Sequence, residues 1–174
     1  MTPQTFETER LSIHDWGPAL ADPKKRIALK TAFAAILTPP VLKPLPPPLQ
    51  LSAVDRDLDR WMDDRAAEAL CSTVALRASQ KVVGLLILAP GATAAPPDLH
   101  VGYLFSESAW GRGYASELVV GLVQSFDAGD PVRLIGGVAR ENPASARVLE
   151  KAGFHRDTHL SDGETDIFVR STGS

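Results

Sequence analysis

A glycine-rich turn that runs directly into an amphipathic helix, residues 109–126 (AWGRGYASELVVGLVQSF), constrains this chain more than any other segment. Gly111, Gly113 and Ala115 alternate there with larger residues and keep side chains away from the backbone where the helix starts. The first N–H groups of a helix lack intrahelical acceptors and lie at the positive end of its dipole. The segment therefore predicts a phosphate site at a helix N-terminus.

A second short helix is predicted about thirty residues later, in residues 141–154 (ENPASARVLEKAGF). Asn142 and Pro143 are typical of a helix cap and first helical residue, and Gly153 is typical of a helix end. The two segments together predict a ligand that carries a pyrophosphate and a reactive arm.

The glycine turn has two other possible interpretations. Gly111-x-Gly113-x-x-Ser116 is close to a dinucleotide-binding fingerprint, but that fingerprint belongs in the first strand–helix turn of a fold and is followed by an acidic residue about twenty positions on. Here the turn lies past the middle of the chain, and no acidic residue ends the next predicted strand before Glu141. A purely structural tight turn is the other alternative.

Hydrophobic periodicity predicts the elements around these segments. Apolar and polar residues alternate over 11–16, and a helix starts at Asp22-Pro23. Thr38–Pro48 holds six prolines in eleven residues and predicts an extended loop that excludes helix. Ser52 and Asp55 resemble a capping box before a helix whose apolar stripe runs from Val54 to Ala69. Further strands are predicted at 72–77, 81–88, 98–105, 132–138, 154–159 and 166–170.

Composition excludes several classes of function. The chain has 174 residues, a net charge of -3 and a pI of about 5.8, which argues against a nucleic-acid-binding surface. The longest apolar run, Val82–Pro90, is too short to span a membrane, and no secretory signal is visible. The single cysteine, Cys71, cannot form an internal disulfide, so a cytoplasmic location is expected. One cysteine and four scattered histidines give no metal-ligand spacing.

Three segments resemble the GCN5-related N-acetyltransferase (GNAT) superfamily. WGRGYA, from Trp110, resembles its Q/R-x-x-G-x-G/A signature, and NPASARVLEKAGF, from Asn142, resembles a later segment. TERLSIHDW, from Thr8, resembles the first strand of the RimJ/RimL-type ribosomal-protein N-acetyltransferases. The resemblance implies one α/β domain over residues 1–174, with a mixed, mostly antiparallel sheet of about seven strands and about four helices.

The resemblance also implies an activity. The chain is expected to transfer an acetyl group directly from acetyl-CoA to an amine, either a protein N-terminus or a small molecule, without a metal and with no nucleic-acid or membrane partner. A homodimer is possible. The alternative is a GNAT-fold protein that binds acyl-CoA without turnover, as a sensor or scaffold.

The family's site residues map onto this sequence by position. Cofactor-binding positions are Leu104, Phe105 and Ser106 for the pantetheine arm, Trp110, Gly111, Arg112, Gly113, Tyr114, Ala115 and Ser116 for the pyrophosphate, and Asn142 near the acetyl group. His100 stands where the branch often has a glutamate general base. Imidazole is a competent base at neutral pH, although a structural histidine is the alternative. Ser145 matches the serine proposed in that branch to protonate the leaving thiolate. Arg112 could instead be a solvated surface charge, and Tyr103 is expected to pack in the core.

Overall fold

The computed structural model describes residues 5–52, 54 and 56–173, and this part of the chain contains eight strands in one sheet. The strands are β1 (Phe6–Glu7), β2 (Leu11–Asp15), β3 (Leu70–Leu76), β4 (Val82–Pro90), β5 (Asp98–Phe105), β6 (Arg133–Ala139), β7 (His155–Asp157) and β8 (Thr165–Ser171). Their order is β1-β2-β3-β4-β5-β6-β8-β7. β5 and β6 are parallel, and the other neighbours are antiparallel.

Six helices accompany the sheet in the described residues: α1 (Gly17–Ala21), α2 (Pro23–Ile36), α3 (Pro39–Leu42), α4 (Leu58–Glu68), α5 (Tyr114–Asp127) and α6 (Pro143–Lys151). The predicted α/β domain with a mixed, mostly antiparallel sheet is confirmed. The described part has one strand more than predicted, β1, and two more helices, α1 and α3. Each of the three is five residues or shorter, too short to show a hydrophobic period.

The two faces of the sheet bury separate hydrophobic cores. Alternate residues of a strand point to opposite faces, so Leu86 and Leu88 of β4 enter one core while Leu85 and Ile87 enter the other. The first core lies under α5 and α6, and the second lies under α2, α3 and α4. In β5, Tyr103 packs against the first core and Leu104 lies in the second, as the alternation of that strand predicts.

The exclusion of helix from the proline-rich segment is wrong. Residues 39–42 form α3, and Pro47–Leu49 form a 3₁₀ turn. Pro39 and Pro40 occupy the first turn of α3, where a missing N–H breaks no intrahelical hydrogen bond. Val41 and Leu42 are buried there, so packing against the second core stabilises a turn that proline content alone disfavours.

The start of α4 also differs from the prediction. The helix begins at Leu58, and the Asp57 side chain accepts a hydrogen bond from the Arg60 N–H at 3.0 Å. Val54 is 99% exposed and contributes nothing to the apolar stripe. Asp55, half of the predicted capping box, lies outside the described residues.

The structure contains the two helix N-caps that the sequence predicted, at Asp22 and Asn142. The Asp22 carboxylate accepts hydrogen bonds from the N–H groups of Lys24 and Lys25 at the start of α2. The Asn142 side chain accepts one from the Ser145 N–H at the start of α6. Across residues 5–52, 54 and 56–173, no helix has the length and apolar character to cross a membrane.

Candidate functional site

A gap opens in the middle of the sheet, where β5 and β6 diverge. Their parallel pairing covers only Asp98–His100, and the last pair joins His100 to Ile135. Beyond it, β5 stays paired with β4, and β6 continues along β8. The second half of β5 therefore has one backbone edge that β6 does not cover.

The hydrogen bonds between β5 and β4 show which residues of β5 direct their backbone N–H and C=O groups to the uncovered edge. The Ser106 N–H donates to the Val83 carbonyl at 2.8 Å, so the backbone groups of Ser106 face β4. Because these directions alternate along a strand, the backbone groups of Leu104 also face β4, whereas those of Tyr103 and Phe105 face the gap. Of the three predicted arm-binding positions, Phe105 is the one whose backbone is directed to the open edge.

The glycine turn lies beside this edge. Gly111 and Gly113 have φ values of 72° and 79°, and Gly113 is the N-cap of α5 without a side-chain cap. The backbone hydrogen bonds of this helix begin with the Glu117 N–H, which donates to the Gly113 carbonyl. The N–H groups of residues 114–116 precede that bond and have no intrahelical acceptor, which is the arrangement that binds anions.

A cavity of about 230 Å³ opens at this turn. Trp110 forms part of its wall, is 50% exposed, and donates from its indole Nε1 to the Phe105 carbonyl at 3.0 Å. Arg112 is exposed, and its Nε donates to the Ser108 carbonyl at 3.2 Å. The described lining residues are Phe105, Ala109, Trp110, Gly111, Gly113, Tyr114, Ala115, Ser116 and Val148, so the structure gathers the predicted turn residues except Arg112.

Arg10 braces the same turn from the N-terminal segment, a role that the sequence analysis missed. Its Nε donates to Glu117 Oε2 at 2.7 Å, and its Nη1 donates to the Arg112 carbonyl at 2.9 Å. Its guanidinium carbon lies 4.5 Å from the centre of the Tyr114 ring. The available signal was an arginine directly before a buried strand, together with an acidic residue in the first turn of a helix.

Glu117 is held as a carboxylate in this network. Burial favours its neutral form, but hydrogen bonds from the Thr8 hydroxyl and from the backbone and side chain of Arg10 outweigh that effect and lower its pKa. The same hydrogen bond to Glu117 raises the pKa of Arg10 above its ordinary value. The two residues therefore form a fully charged pair at the start of α5.

A larger cavity, about 410 Å³, continues from the turn along the gap. Two hydroxyls meet in its wall: Tyr103 OH and Ser145 Oγ are 3.2 Å apart. Burial raises the pKa of Tyr103, against a smaller opposing effect of the Ser145 hydrogen bond, so the phenol is protonated at neutral pH. Tyr103 does pack against the core, as predicted, but its hydroxyl reaches the cleft, which its strand position alone did not reveal.

The proline-rich segment supplies the other wall of this cavity. Val41, Pro44 and Leu45 line it opposite α6. The Thr38 hydroxyl donates to Glu107 Oε2 at 2.7 Å and ties the segment to the loop that follows β5. The described lining is Val41, Pro44, Leu45, Tyr103, Leu104, Phe105, Trp110, Ala115, Asn142, Ala144, Ser145 and Val148.

His100 lies apart from this lining. It is exposed on β5, in the last row that pairs with β6, and a Cβ added at Gly91 would lie 2.8 Å from its Nε2. Tyr103 follows His100 by three residues on the same strand, so the side chains of His100 and Tyr103 point to opposite faces of the sheet. The structure thus brings Ser145 and Asn142 to the cleft, whereas His100 lies outside the lining, on the same strand face as Leu104 and in the row where the gap begins.

The arrangement fits a long ligand with an anionic end and a reactive end. Unpaired N–H groups lie at the glycine turn, an open strand edge can pair with amides, and two hydroxyl proton donors lie near the start of α6. Among residues 5–52, 54 and 56–173, no group of three or more His, Cys, Asp or Glu side chains is placed to hold a metal ion.

Comparison with solved structures supports the same architecture. A GNAT-family acetyltransferase from Bacillus anthracis superposes with a TM-score of 0.68 at 19% identity, covering 97% of each chain. RimL, a ribosomal L7/L12 alpha-N-protein acetyltransferase solved with coenzyme A, gives 0.65 at 15% identity, covering 98% of this chain and 97% of RimL. The microcin C7 self-immunity acetyltransferase MccE, solved with acetyl-CoA and AMP, gives 0.65 at 13% identity and 97% coverage of each chain. At these identities the similarity establishes the fold alone.

Sequence comparison establishes the family. No curated protein gives a significant match to the chain. The acetyltransferase (GNAT) domain family, however, matches residues 26–155, well over half of the sequence. That range includes the divergent strands, the glycine turn and the Asn142 helix, and the chain therefore belongs to the GNAT acetyltransferase family.

Proposed function

We propose that this protein is an N-acetyltransferase of the RimJ/RimL type that transfers an acetyl group directly from acetyl-CoA to an amine. One observation carries the proposal: two adjoining cavities, with four lining residues in common, extend from the glycine turn to the hydroxyl pair of Tyr103 and Ser145 beside the open edge of β5. The acceptor is a protein N-terminus or a small amine that enters beside the apolar wall of Val41, Pro44 and Leu45. A cytoplasmic location follows from cysteine content alone and stays a prediction.

Acetyl-CoA fits the donor groups along this cleft. Its pyrophosphate meets the N–H groups between Gly111 and Ser116, where the dipole of α5 favours negative charge. Its pantetheine amides pair with the backbone of Tyr103 and Phe105, between the side chains of Leu104 and Asn142. The Phe105 carbonyl already accepts from Trp110, so the indole must release it before a pantetheine N–H can bind there.

The chemistry requires two proton transfers. The amine nitrogen attacks the thioester carbonyl, the carbon–sulfur bond breaks, and the sulfur leaves as a thiolate that takes a proton. Ser145 supplies that proton and recovers one from the Tyr103 phenol, 3.2 Å away. The N-terminus of α6 also stabilises the developing negative charge. His100, exposed where the gap begins, takes the proton lost by the amine and releases it to solvent, and the Tyr103 phenolate regains a proton from solvent, so both groups are restored.

The test is release of free thiol from acetyl-CoA in the presence of small amines and short peptides with free N-termini. Positioned proton transfer is typically worth about 10²–10⁴-fold, so His100→Ala is expected to lower kcat by that order and leave the Kd for acetyl-CoA unchanged. His155→Ala, at an exposed histidine of β7, is the matched control and is expected to leave kcat unchanged.

Tyr103→Phe, Ser145→Ala and the double variant test the relay. If the two hydroxyls act as one unit, the double variant loses little more kcat than Ser145→Ala alone. Independent, additive losses contradict the relay. Tight binding of acetyl-CoA without thiol release for any amine contradicts the enzyme proposal and leaves a non-catalytic acyl-CoA-binding protein.

A further inference from the structure

The N-terminal segment before β2 reaches across the molecule to the glycine turn. Arg10 and Arg112 are 102 positions apart, yet Arg10 Nη1 donates to the Arg112 carbonyl at 2.9 Å. The Glu117 carboxylate also accepts the Arg10 backbone N–H at 2.7 Å and the Thr8 hydroxyl at 2.6 Å. One arginine is thus fixed at its backbone, its Nε and its Nη1, and it touches both sides of the turn.

This geometry determines where the N–H of Gly113 points. In a trans peptide unit the carbonyl and the next N–H point in opposite directions. The carbonyl of Arg112 is directed to Arg10, so the N–H of Gly113 is directed away from it. Gly113 lines the cavity and tolerates φ of 79°, so the hydrogen bond from Arg10 fixes the orientation of a peptide whose N–H is one of the donors proposed for the pyrophosphate.

The charges of Arg10 and Glu117 are a second reason to connect Arg10 with the proposed phosphate site. Glu117 lies in the first turn of α5 and is an anion beside the proposed phosphate site. Its side chain is 16% exposed, while that of Arg10 is 44% exposed, so a more buried carboxylate is paired with a more exposed guanidinium. A Cβ built at Gly113 would lie 3.5 Å from Arg10 Nη2, which puts this cation next to the turn.

We propose that Arg10 is a positioning residue of the phosphate site. It holds the Arg112 carbonyl so that the N–H groups of the turn meet the pyrophosphate, and Glu117 is the anchor that orients it. The inference rests on the proposed function, because it assigns Arg10 to the acetyl-CoA site of that proposal.

Glu117→Gln separates a positioning role from a simple charge effect because the two predict opposite signs. If only the net charge near the site matters, removal of a carboxylate strengthens binding of an anion. If Glu117 orients Arg10, the same variant weakens acetyl-CoA binding, although the local charge becomes more positive. We expect weakening in Glu117→Gln and a loss of tenfold or more in Arg10→Met, measured as Kd by calorimetry.

Two probes separate a phosphate-site effect from general damage. 3′-Phospho-ADP carries the pyrophosphate without the thioester arm, and S-acetylpantetheine carries the arm without the pyrophosphate. Arg10→Met is expected to weaken 3′-phospho-ADP by the same factor as acetyl-CoA and to leave kcat/KM for S-acetylpantetheine unchanged. An equal loss with S-acetylpantetheine would mean a merely structural role and would overturn the inference.

Arg77→Met is the matched control. Arg77 donates to the carbonyls of Thr8 and Glu9 and pairs with Glu7, so it tethers the same N-terminal segment without reaching the turn. Its acetyl-CoA affinity is expected to equal that of wild type. If Arg10→Met does not fold, Arg10→Lys replaces the planar fork by one ammonium group and is expected to show a partial loss.

The outcomes keep the two proposals distinct. Unchanged acetyl-CoA affinity in folded Arg10→Met or Arg10→Lys, or tighter binding by Glu117→Gln, overturns the role of Arg10 and leaves the acetyltransferase proposal intact. Failure of the wild-type protein to bind acetyl-CoA overturns both.

Discussion

Replacing Gly113 by alanine and by glutamate separates backbone strain at the helix start from loss of the anion site. The φ of Gly113 is 79°, in the left-handed region. The nearest heavy atom to an added Cβ is Arg10 Nη2 at 3.5 Å, an ordinary contact, so Gly113→Ala introduces strain without a clash. Left-handed backbone costs a non-glycine residue about 1–2 kcal/mol. For a chain of this size, that lowers Tm by about 2–8 °C.

Gly113→Glu adds a negative charge to the same strain. Two like charges 4 Å apart repel by about 1 kcal/mol in bulk water and about 4 kcal/mol near a protein surface. At about 1.4 kcal/mol per tenfold change, the Kd for acetyl-CoA is expected to rise between about fivefold and about 10³-fold. Calorimetry measures this directly, and thermal melts establish that the variant is folded.

Substitutions at two other glycines, Gly111 and Gly163, serve as controls for backbone strain. Gly111 has a φ of 72° and no neighbour within 4 Å of an added Cβ, so Gly111→Ala should lose a similar amount of stability. Gly163 also has open space but no positive φ, so Gly163→Ala should melt like wild type. The reasoning is refuted if Gly113→Ala melts like Gly163→Ala, or if folded Gly113→Glu binds acetyl-CoA with wild-type affinity.

Two further predictions concern stability. Burial raises the pKa of the Cys71 thiol from 9.0 to about 12. The unfolded chain therefore loses this proton before the folded chain does, and the free energy of unfolding should fall between pH 9 and pH 12 by at most about 1.4 kcal/mol per pH unit. Below pH 9 this thiol should have no effect on stability. Urea titrations from pH 8 to 10.5 should show this decrease in wild type and a smaller one in Cys71→Ala; equal slopes would contradict it. A Cβ at Gly136 would lie 2.8 Å from Leu149 Cδ1, so Gly136→Ala should destabilise by about 1–3 kcal/mol through overpacking. Gly137→Ala, with its nearest contact at 3.5 Å, is the adjacent control, and equal denaturation midpoints for the two variants would refute the packing argument.

Local signals in the sequence determined much of the fold. Asp22 and Asn142 cap helices because a carboxylate or amide oxygen reaches the free N–H groups two or three residues on. The alternation in β5 is likewise local, because a strand directs successive side chains to opposite faces. The glycine turn follows the same logic, since only glycine adopts positive φ without strain. Such features depend on neighbours a few residues away and can be inferred from the sequence.

The contacts that build the candidate site depend on the tertiary structure. Tyr103 meets Ser145 across 42 positions because α6 packs against the same sheet face as that tyrosine. The proline-rich segment forms a cleft wall because Val41 and Leu42 find a core that no local pattern encodes. His100, chosen by position in a family motif, is absent from the cavity lining although it shares a strand face with Leu104, since strand alternation and the β5–β6 divergence together decide which side chains share a cavity.

The sequence by itself therefore determined the starts of α2 and α6, the strand faces and the glycine turn, because each depends on backbone geometry within a few residues. Only the tertiary structure decided that Arg10 would hold the Arg112 carbonyl and that the open edge of β5 would lie beside the glycine turn. Those relationships depend on strand order and on how helices pack against the sheet. Both are set by the burial of the two hydrophobic cores as a whole.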